Sequence, residues 1–284
     1  MTCHLRQVCF ITIISVLLCI PHAGAADKQA AILLVQDGLT VPHQSVALAA
    51  KLVKKGLFQQ GLGGEPLELL INGQVVATAM TGGDGIALLS YTPKAQAVVH
   101  VQVRVGSSPR VAPVEGQANL LVWERRNPIV AVELAALTEP PSQAPLPGFE
   151  LTMGSAPIPM PDAANELGKL TQFYYHVIYM VSPGGTGNGF QAADQARAWL
   201  EAHKFPTGYV LVLQSGDQPV GATIDELHAA GWKTVKTGIG RSKAFAEAFV
   251  QRRLDAVIVP EPRAGDQPRK AKIAKSWKEI RKKL

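Results

Sequence analysis

The feature that most restricts the fold is a change of rhythm at Pro128. Between residues 31 and 126 the chain runs in short apolar or alternating stretches: "AILLVQ", "SVALAAKLV", "LELLING", "QVVATAMT", "IALLSYTP", "VVHVQVRV" and "ANLLVWE". Turn-forming stretches separate them: "DGLTVPHQ", "GLGGEP", Ile71-Asn72-Gly73, "GGDG" and "VGSSPRVAP". An Asn-Gly pair between apolar runs is a strong hairpin signal, because both residues accept the positive φ of a tight turn. No 3.6-residue period persists here. Seven short strands at this spacing predict a β-sandwich over residues 29–126.

After Pro128 the pattern alternates. Ile129 to Leu137, counted as the first strand, is an apolar run with one acid inside it, Glu133. Residues 139–161 then hold seven prolines, which excludes helix or sheet interior and predicts a long surface loop. From Asp162, an N-cap candidate, the reading is helix "DAANELGKLTQFYY", strand "HVIYMVS", helix "FQAADQARAWLEAH", strand "GYVLVLQS", helix "TIDELHAAG" and strand "WKTVKTGI". Helix "RSKAFAEAFVQRR", strand "DAVIVPE" and a final helix "PRKAKIAKSWKEIRKKL" follow. Strand–helix alternation with β-rich apolar runs predicts a doubly wound α/β unit, 127–284, with four or five parallel strands covered on both faces. In such sheets ligands bind beyond the strand C-terminal ends. Here those ends are Glu133 to Thr138, Ser182 to Gly189, Lys236 to Arg241 and Glu261 to Asp266.

Composition bears on where this fold would work. Residues 1–25 combine a basic start, the apolar run "VCFITIISVLLCI" and the small residues Ala23-Gly24-Ala25, the pattern of a secretory signal peptide. All three cysteines (Cys3, Cys9 and Cys19) lie in that segment, so the remainder has no thiol nucleophile, disulfide or cysteine metal site. Export to the periplasm or the extracellular space is the expectation. Arg263 to Leu284 carries nine basic and two acidic residues, so the pI of about 9.2 reflects the tail and not the whole surface.

Two resemblances add to this reading. "P-x-Q-S-V-x-L-x-A", "GGEPLELLING" and "TGGDGIALLSYTP" resemble bacterial immunoglobulin-like domains over residues 31–122, which implies a fold and almost nothing about chemistry. Asp37, Glu65 and Asp84 are weak calcium-ligand candidates there, since Asp in a "DG" turn ordinarily serves the turn. In the second half, "VIYMVS" followed by "ARAWLEAHKFPTGYVLVL" resembles the haloacid dehalogenase-like phosphohydrolases, in particular their phosphatidate-phosphatase and lipin-type branch. That resemblance implies an Asp-x-Asp-x-Thr motif after the first strand. The first Asp attacks phosphorus and the second protonates the leaving oxygen. A Ser or Thr and a Lys hold the phosphoryl oxygens, and later acids hold magnesium.

This chain departs from that pattern. Glu133 stands in the nucleophile's place and Ala135 in the proton donor's. Glutamate is longer by one C–C bond, ~1.5 Å, and a misplacement of about 1 Å can cost 10²-fold. Losing general acid help costs about 10²–10⁴-fold. If the domain is active, the resemblance assigns Glu133, Ser182 and Lys236 as catalytic, with Lys243 the other lysine candidate. Glu133, Glu261 and Asp266 would then be the magnesium ligands. Ser182, Gly184, Gly185, Thr186, Lys236 and Arg241 are the anion-binding candidates, the glycines freeing backbone amides around Ser182. The same glycines also serve a plain tight connection.

His176 and His203 lack metal-ligand spacing, and no G-x-S-x-G elbow occurs. In the tail, Ile273, Trp277, Ile280 and Leu284 form one apolar stripe if the segment is helical, with lysines and arginines opposite. That pattern suits a closing helix or a contact with anionic lipid; nucleic acid is not expected. The expectation is an exported pseudoenzyme without a cofactor, binding or scaffolding toward an envelope partner or anionic ligand. The runner-up is a magnesium-dependent phosphohydrolase acting on a phosphorylated lipid or small phosphate ester.

Overall fold

The structure, a computed structural model, describes residues 28–56, 59–140, 157–183, 188–214, 219–263 and 267–284. Residues 1–27, which include the expected signal peptide, and most of the proline-rich stretch lie outside these. The first half forms β1 (Ala31–Val35), β2 (Gly38–Thr40), β3 (Val46–Lys54), β4 (Pro66–Ile71), β5 (Gln74–Met80), β6 (Ile86–Tyr91), β7 (Ala97–Val105) and β8 (Glu115–Val122). All seven expected strands are present. The eighth, β2, arises inside "DGLTVPHQ", a stretch expected to be only a break; three residues are too few to show a period. Its pairing partner β8 supplies the reason it forms, running parallel to it from Leu120 to Val122.

The strands make two sheets, β1-β3-β6 and β2-β8-β7-β4-β5, the order of an immunoglobulin-like sandwich. Asn72 and Gly73 turn the β4–β5 hairpin with φ of 51° and 76°, so that Ile71 pairs with Gln74. Period-2 alternation places Val101, Val103 and Val105 of β7 in the core with Leu67, Leu69, Leu89 and Leu120. His100, Gln102 and Arg104 point out. The acids here have structural partners. Asp84 accepts from the Ile86 N–H at 3.0 Å within its turn, and buried Glu65 pairs with Arg110 at 2.5 Å.

The second half forms β9 (Ile129–Glu133), a 3-10 turn (Leu134–Leu137), α1 (Ala163–Phe173), β10 (His176–Val181), α2 (Gly189–Ala202) and β11 (Tyr209–Val212). It continues with α3 (Pro219–Ala229), β12 (Val235–Gly240), α4 (Lys243–Gln251), β13 (Asp255–Ile258), β14 (Lys272–Ile273), a 3-10 turn (Trp277–Glu279) and α5 (Ile280–Lys283). Six parallel strands line up as β11-β10-β9-β12-β13-β14. This is a doubly wound sheet whose order reverses between β9 and β12. Alternate residues serve opposite faces. Val130 and Val132 pack with α1, α2 and Trp277, while Ile129 and Ala131 pack with α3 and α4. Gly238 lies on the second face because the Phe249 ring occupies the space of a side chain there; an added Cβ would sit 2.7 Å from it.

Three expectations about elements need correction. The tail is not one helix: Lys272 and Ile273 add a sixth strand beside β13, and only Ile280–Lys283 is α-helical. The stripe residues Trp277 and Ile280 are nevertheless fully buried in one apolar cluster, and the Trp277 indole N–H donates to the Ala136 carbonyl at 3.1 Å. Tertiary packing therefore set the backbone where helical spacing had suggested otherwise. Asp162 does not cap α1 with its side chain; it sits at φ 64° and its carboxylate meets Lys278 at 3.3 Å. The apolar run from Ile129 stops being a strand at Glu133.

Asp37 joins the sandwich to the parallel sheet. Its side chain is fully buried. Oδ1 accepts from the Asn119 N–H of β8 at 2.9 Å and from the Arg197 guanidinium of α2 at 2.6 Å. Oδ2 accepts from the Val210 N–H of the outermost strand, β11, at 3.1 Å. Arg197 also donates to the Val35 carbonyl and to Asp194, each at 3.1 Å. Burial pushes the Asp37 carboxyl pKa up, opposed by Arg197 and the two backbone donors.

A second junction stacks His176, the first residue of β10, on Trp123 with ring centres 4.3 Å apart and planes 5° apart. Asn127 Nδ2 lies 3.1 Å from His176 Nε2, as a donor to the neutral ring. Burial holds the His176 pKa below its ordinary value. The unfolded chain then takes up a proton first as pH falls, so the stability contributed here is present above about pH 6.5 and drains below it. Urea midpoints measured from about pH 7.5 down to about pH 5 should decline, and His176→Phe, which keeps the stack, should flatten that decline. An equal slope in both proteins would refute the assignment.

Candidate active site

The C-terminal ends of β9 and β12 flank the point where strand order reverses, which is where a ligand site belongs in this architecture. Glu133 ends β9 and pairs in register with Met180 of β10. Arg241 and Ser242 follow β12 immediately, and Ser242 is the N-cap of α4. Helix α4 begins there because the Ser242 hydroxyl accepts from the Phe245 N–H at 3.2 Å, and Phe245 and Phe249 then bury one face.

The Glu133 carboxylate points into this corner and is occupied. Oε2 accepts from the Arg241 N–H at 2.7 Å and the Ser242 N–H at 2.9 Å. Oε1 accepts from the Ser242 hydroxyl at 2.7 Å. The N-terminus of a helix, with orphan N–H groups and the positive end of its dipole, is ready to take an anion. Here the chain provides that anion itself. Three of roughly four acceptor positions on the carboxylate are filled.

Arg241 is drawn away from open solvent as well. One terminal nitrogen donates to the Thr138 carbonyl at the end of the 3-10 turn, while its buried Nε lacks a partner among the described residues. Burial lowers its pKa and the Glu133 charge opposes that fall.

Around this corner the expected residues divide. Glu133 and Arg241 come together, whereas Lys243, the alternative lysine, is exposed and directed along α4. Lys243 opens α4 and lies 3.9 Å from Glu247. Ser182 is exposed, two residues beyond the Met180 that pairs with Glu133, so it borders the corner from β10. Lys236 is not brought to it. It occupies the irregularity between Val235 and Thr237, level with Ile129 and Val130 at the start of β9, and is exposed at the opposite end of the sheet. Its distance from the loop in sequence gave no warning, because a strand of four further residues carries the chain about 13 Å. Glu261 follows β13 and is exposed. Gly184, Gly185, Thr186 and Asp266 lie outside the described residues. Ala135 is exposed on the 3-10 turn, where a methyl group has no proton to give. Among the described residues no group of three or more His, Cys, Asp or Glu side chains gathers as a metal cage would require.

Sequence reasoning missed Ser242. Its signal was present in "GRSKAFAEAF": a serine directly before a helix of apolar residues is an N-cap. Asp37 was read as a turn residue or weak calcium ligand, although its partners are Arg197 and two backbone amides.

A second concavity lies between the sandwich and α2. It encloses about 640 Å³ and is lined by His100, Gln102, Gln117 and Asn119 on one side and Asp194 and Glu201 on the other.

No family model matches the chain, and no curated protein matches it. Among solved structures, the titin M3 domain aligns over 34% of this chain and 100% of its own length, at 15% identity and a TM-score of 0.25. The CARDB domain of PF1109 from Pyrococcus furiosus aligns over 34% of this chain and 92% of its own length, at 14% identity and a TM-score of 0.24. Likeness at that level carries no argument; the sandwich rests on its own strand pairing.

Proposed function

We propose that the chain is an exported, non-catalytic binding or scaffolding protein, an immunoglobulin-like sandwich joined to a haloacid dehalogenase-like domain without working chemistry. One observation carries this reading: the Glu133 carboxylate is tied to the N-terminus of α4. An in-line attack on phosphorus needs an oxygen free to move onto it, and leaving this position would strand two backbone N–H groups and a hydroxyl. Alanine at position 135 removes the proton donor as well. The envelope partner would be held by surfaces and clefts, with the parallel sheet as their rigid frame.

The runner-up, a phosphohydrolase acting on a phosphorylated lipid or small ester, draws on the meeting of Glu133 and Arg241 at the point of strand reversal. The two readings separate in one assay. Purified protein is incubated with magnesium and a panel of phosphate esters. We expect no turnover above buffer for the wild type and the same for Glu133→Gln. Turnover in the wild type that Glu133→Gln abolishes would overturn the non-catalytic reading.

A further inference from the structure

We infer that the C-terminal end of α1, together with α5, forms a docking face for an anionic lipid surface. Helix α1 ends at Phe173, and Tyr174 leaves the helical conformation as its C-cap. The chain then turns into β10, and both rings are left outside. Phe173 is 66% and Tyr174 75% exposed, and among the described residues they are the aromatics in the set of large exposed hydrophobic side chains. A concavity of about 420 Å³ adjoins them, walled by Pro128, Leu170, Tyr175 and Leu284.

Cations rim this apolar patch. Lys169 and Arg281 line the same concavity, and each holds the buried Glu166 at 2.8 Å. Lys282 and Lys283 continue from Arg281 in the same turn, with Ile280 turned inward as their anchor. Lys169 and Arg281 are thus paired with Glu166, and Lys282 and Lys283 add two positive charges beside them. Aromatics beside a cationic rim match the two layers of an anionic membrane surface. Phe173 suits the acyl boundary, and the Tyr174 hydroxyl suits the headgroup level. No helix among the described residues is long and apolar enough to cross a membrane, and the face described here would rest on one. This replaces the expectation of lipid contact along a single C-terminal helix. It goes beyond the non-catalytic reading and does not depend on it.

The test uses the full chain and sedimentation with vesicles of phosphatidylcholine alone or with about one third phosphatidylglycerol. A basic residue near an anionic surface adds roughly fivefold to partitioning, so we expect at least a tenfold preference for the anionic vesicles, lost in high salt. Phe173→Ser with Tyr174→Ser should reduce binding about tenfold, and separately Lys282→Glu with Lys283→Glu at least about 25-fold, each leaving thermal melting unchanged. The absence of an anionic preference overturns the inference. So does loss of binding in the charge variant with none in the aromatic variant, which would mean that the lysines meet anionic headgroups without this aromatic face.

Discussion

Asp37→Ala should destabilise the protein by about 3–5 kcal/mol, the range for removing one partner of a buried ion pair. The carboxylate has no exposed surface and Arg197 keeps 13% of its side chain exposed, so solvent cannot take over the lost contact. Removal leaves the Arg197 guanidinium with Asp194 and the Val35 carbonyl, and leaves the Asn119 and Val210 N–H groups without their acceptor. Each stranded donor costs about 1–3 kcal/mol by itself. Because these donors belong to β8 in one half and β11 in the other, the loss falls on the junction. Thermal melting should drop by about 10 °C, at roughly 2–4 °C per kcal/mol for a unit of this size. Asp37→Asn keeps an acceptor and removes the charge, and should lie between. Arg197→Met, which leaves a buried charge on the other side, completes a double-mutant cycle. If Asp37→Ala moves the urea midpoint by less than the equivalent of about 1 kcal/mol, the pair does not join the two halves.

Trp277→Ala should cost about 3–5 kcal/mol, the range for emptying a large buried aromatic site. Trp277 is the largest fully buried side chain, packed with Val132, Leu137 and Leu167 on one face of the sheet. Its indole N–H donates to Ala136, so the tail braces the 3-10 turn directly after Glu133. Trp277→Phe preserves most of the buried area but leaves the buried Ala136 carbonyl without its donor, about 1–3 kcal/mol. Chemical denaturation of both variants separates packing from hydrogen bonding. A loss for Trp277→Ala no greater than that for Trp277→Phe would mean that the tail is not part of the core.

Much of the fold was legible because its signals are local. The β7 stretch "VVHVQVRV" alternates, and its valines face inward as period 2 requires. "IVAV" is apolar at every step, and β9 is covered on both faces. The site was less legible. Glu133 as a departure from the expected motif could be read from its position, but the Ser242 that engages it lies 109 residues away. Lys236 was placed at the wrong end of β12 because an irregular strand hides its start. The tail's apolar spacing fits a helix, yet a free edge of β13 accepts two of its residues as β14 and the helix is confined to the last turn.

The sequence by itself determined most of the strands and helices, though not β2, β14 or the extent of the last helix. Those elements depend on backbone preference and apolar period within a few residues. Only the tertiary structure decided what the charged groups do. Asp37 meets Arg197 across 160 residues, and Glu133 meets the start of α4 across more than a hundred. A buried charge must find a partner wherever the packed chain brings one, and sequence proximity does not constrain which one it finds.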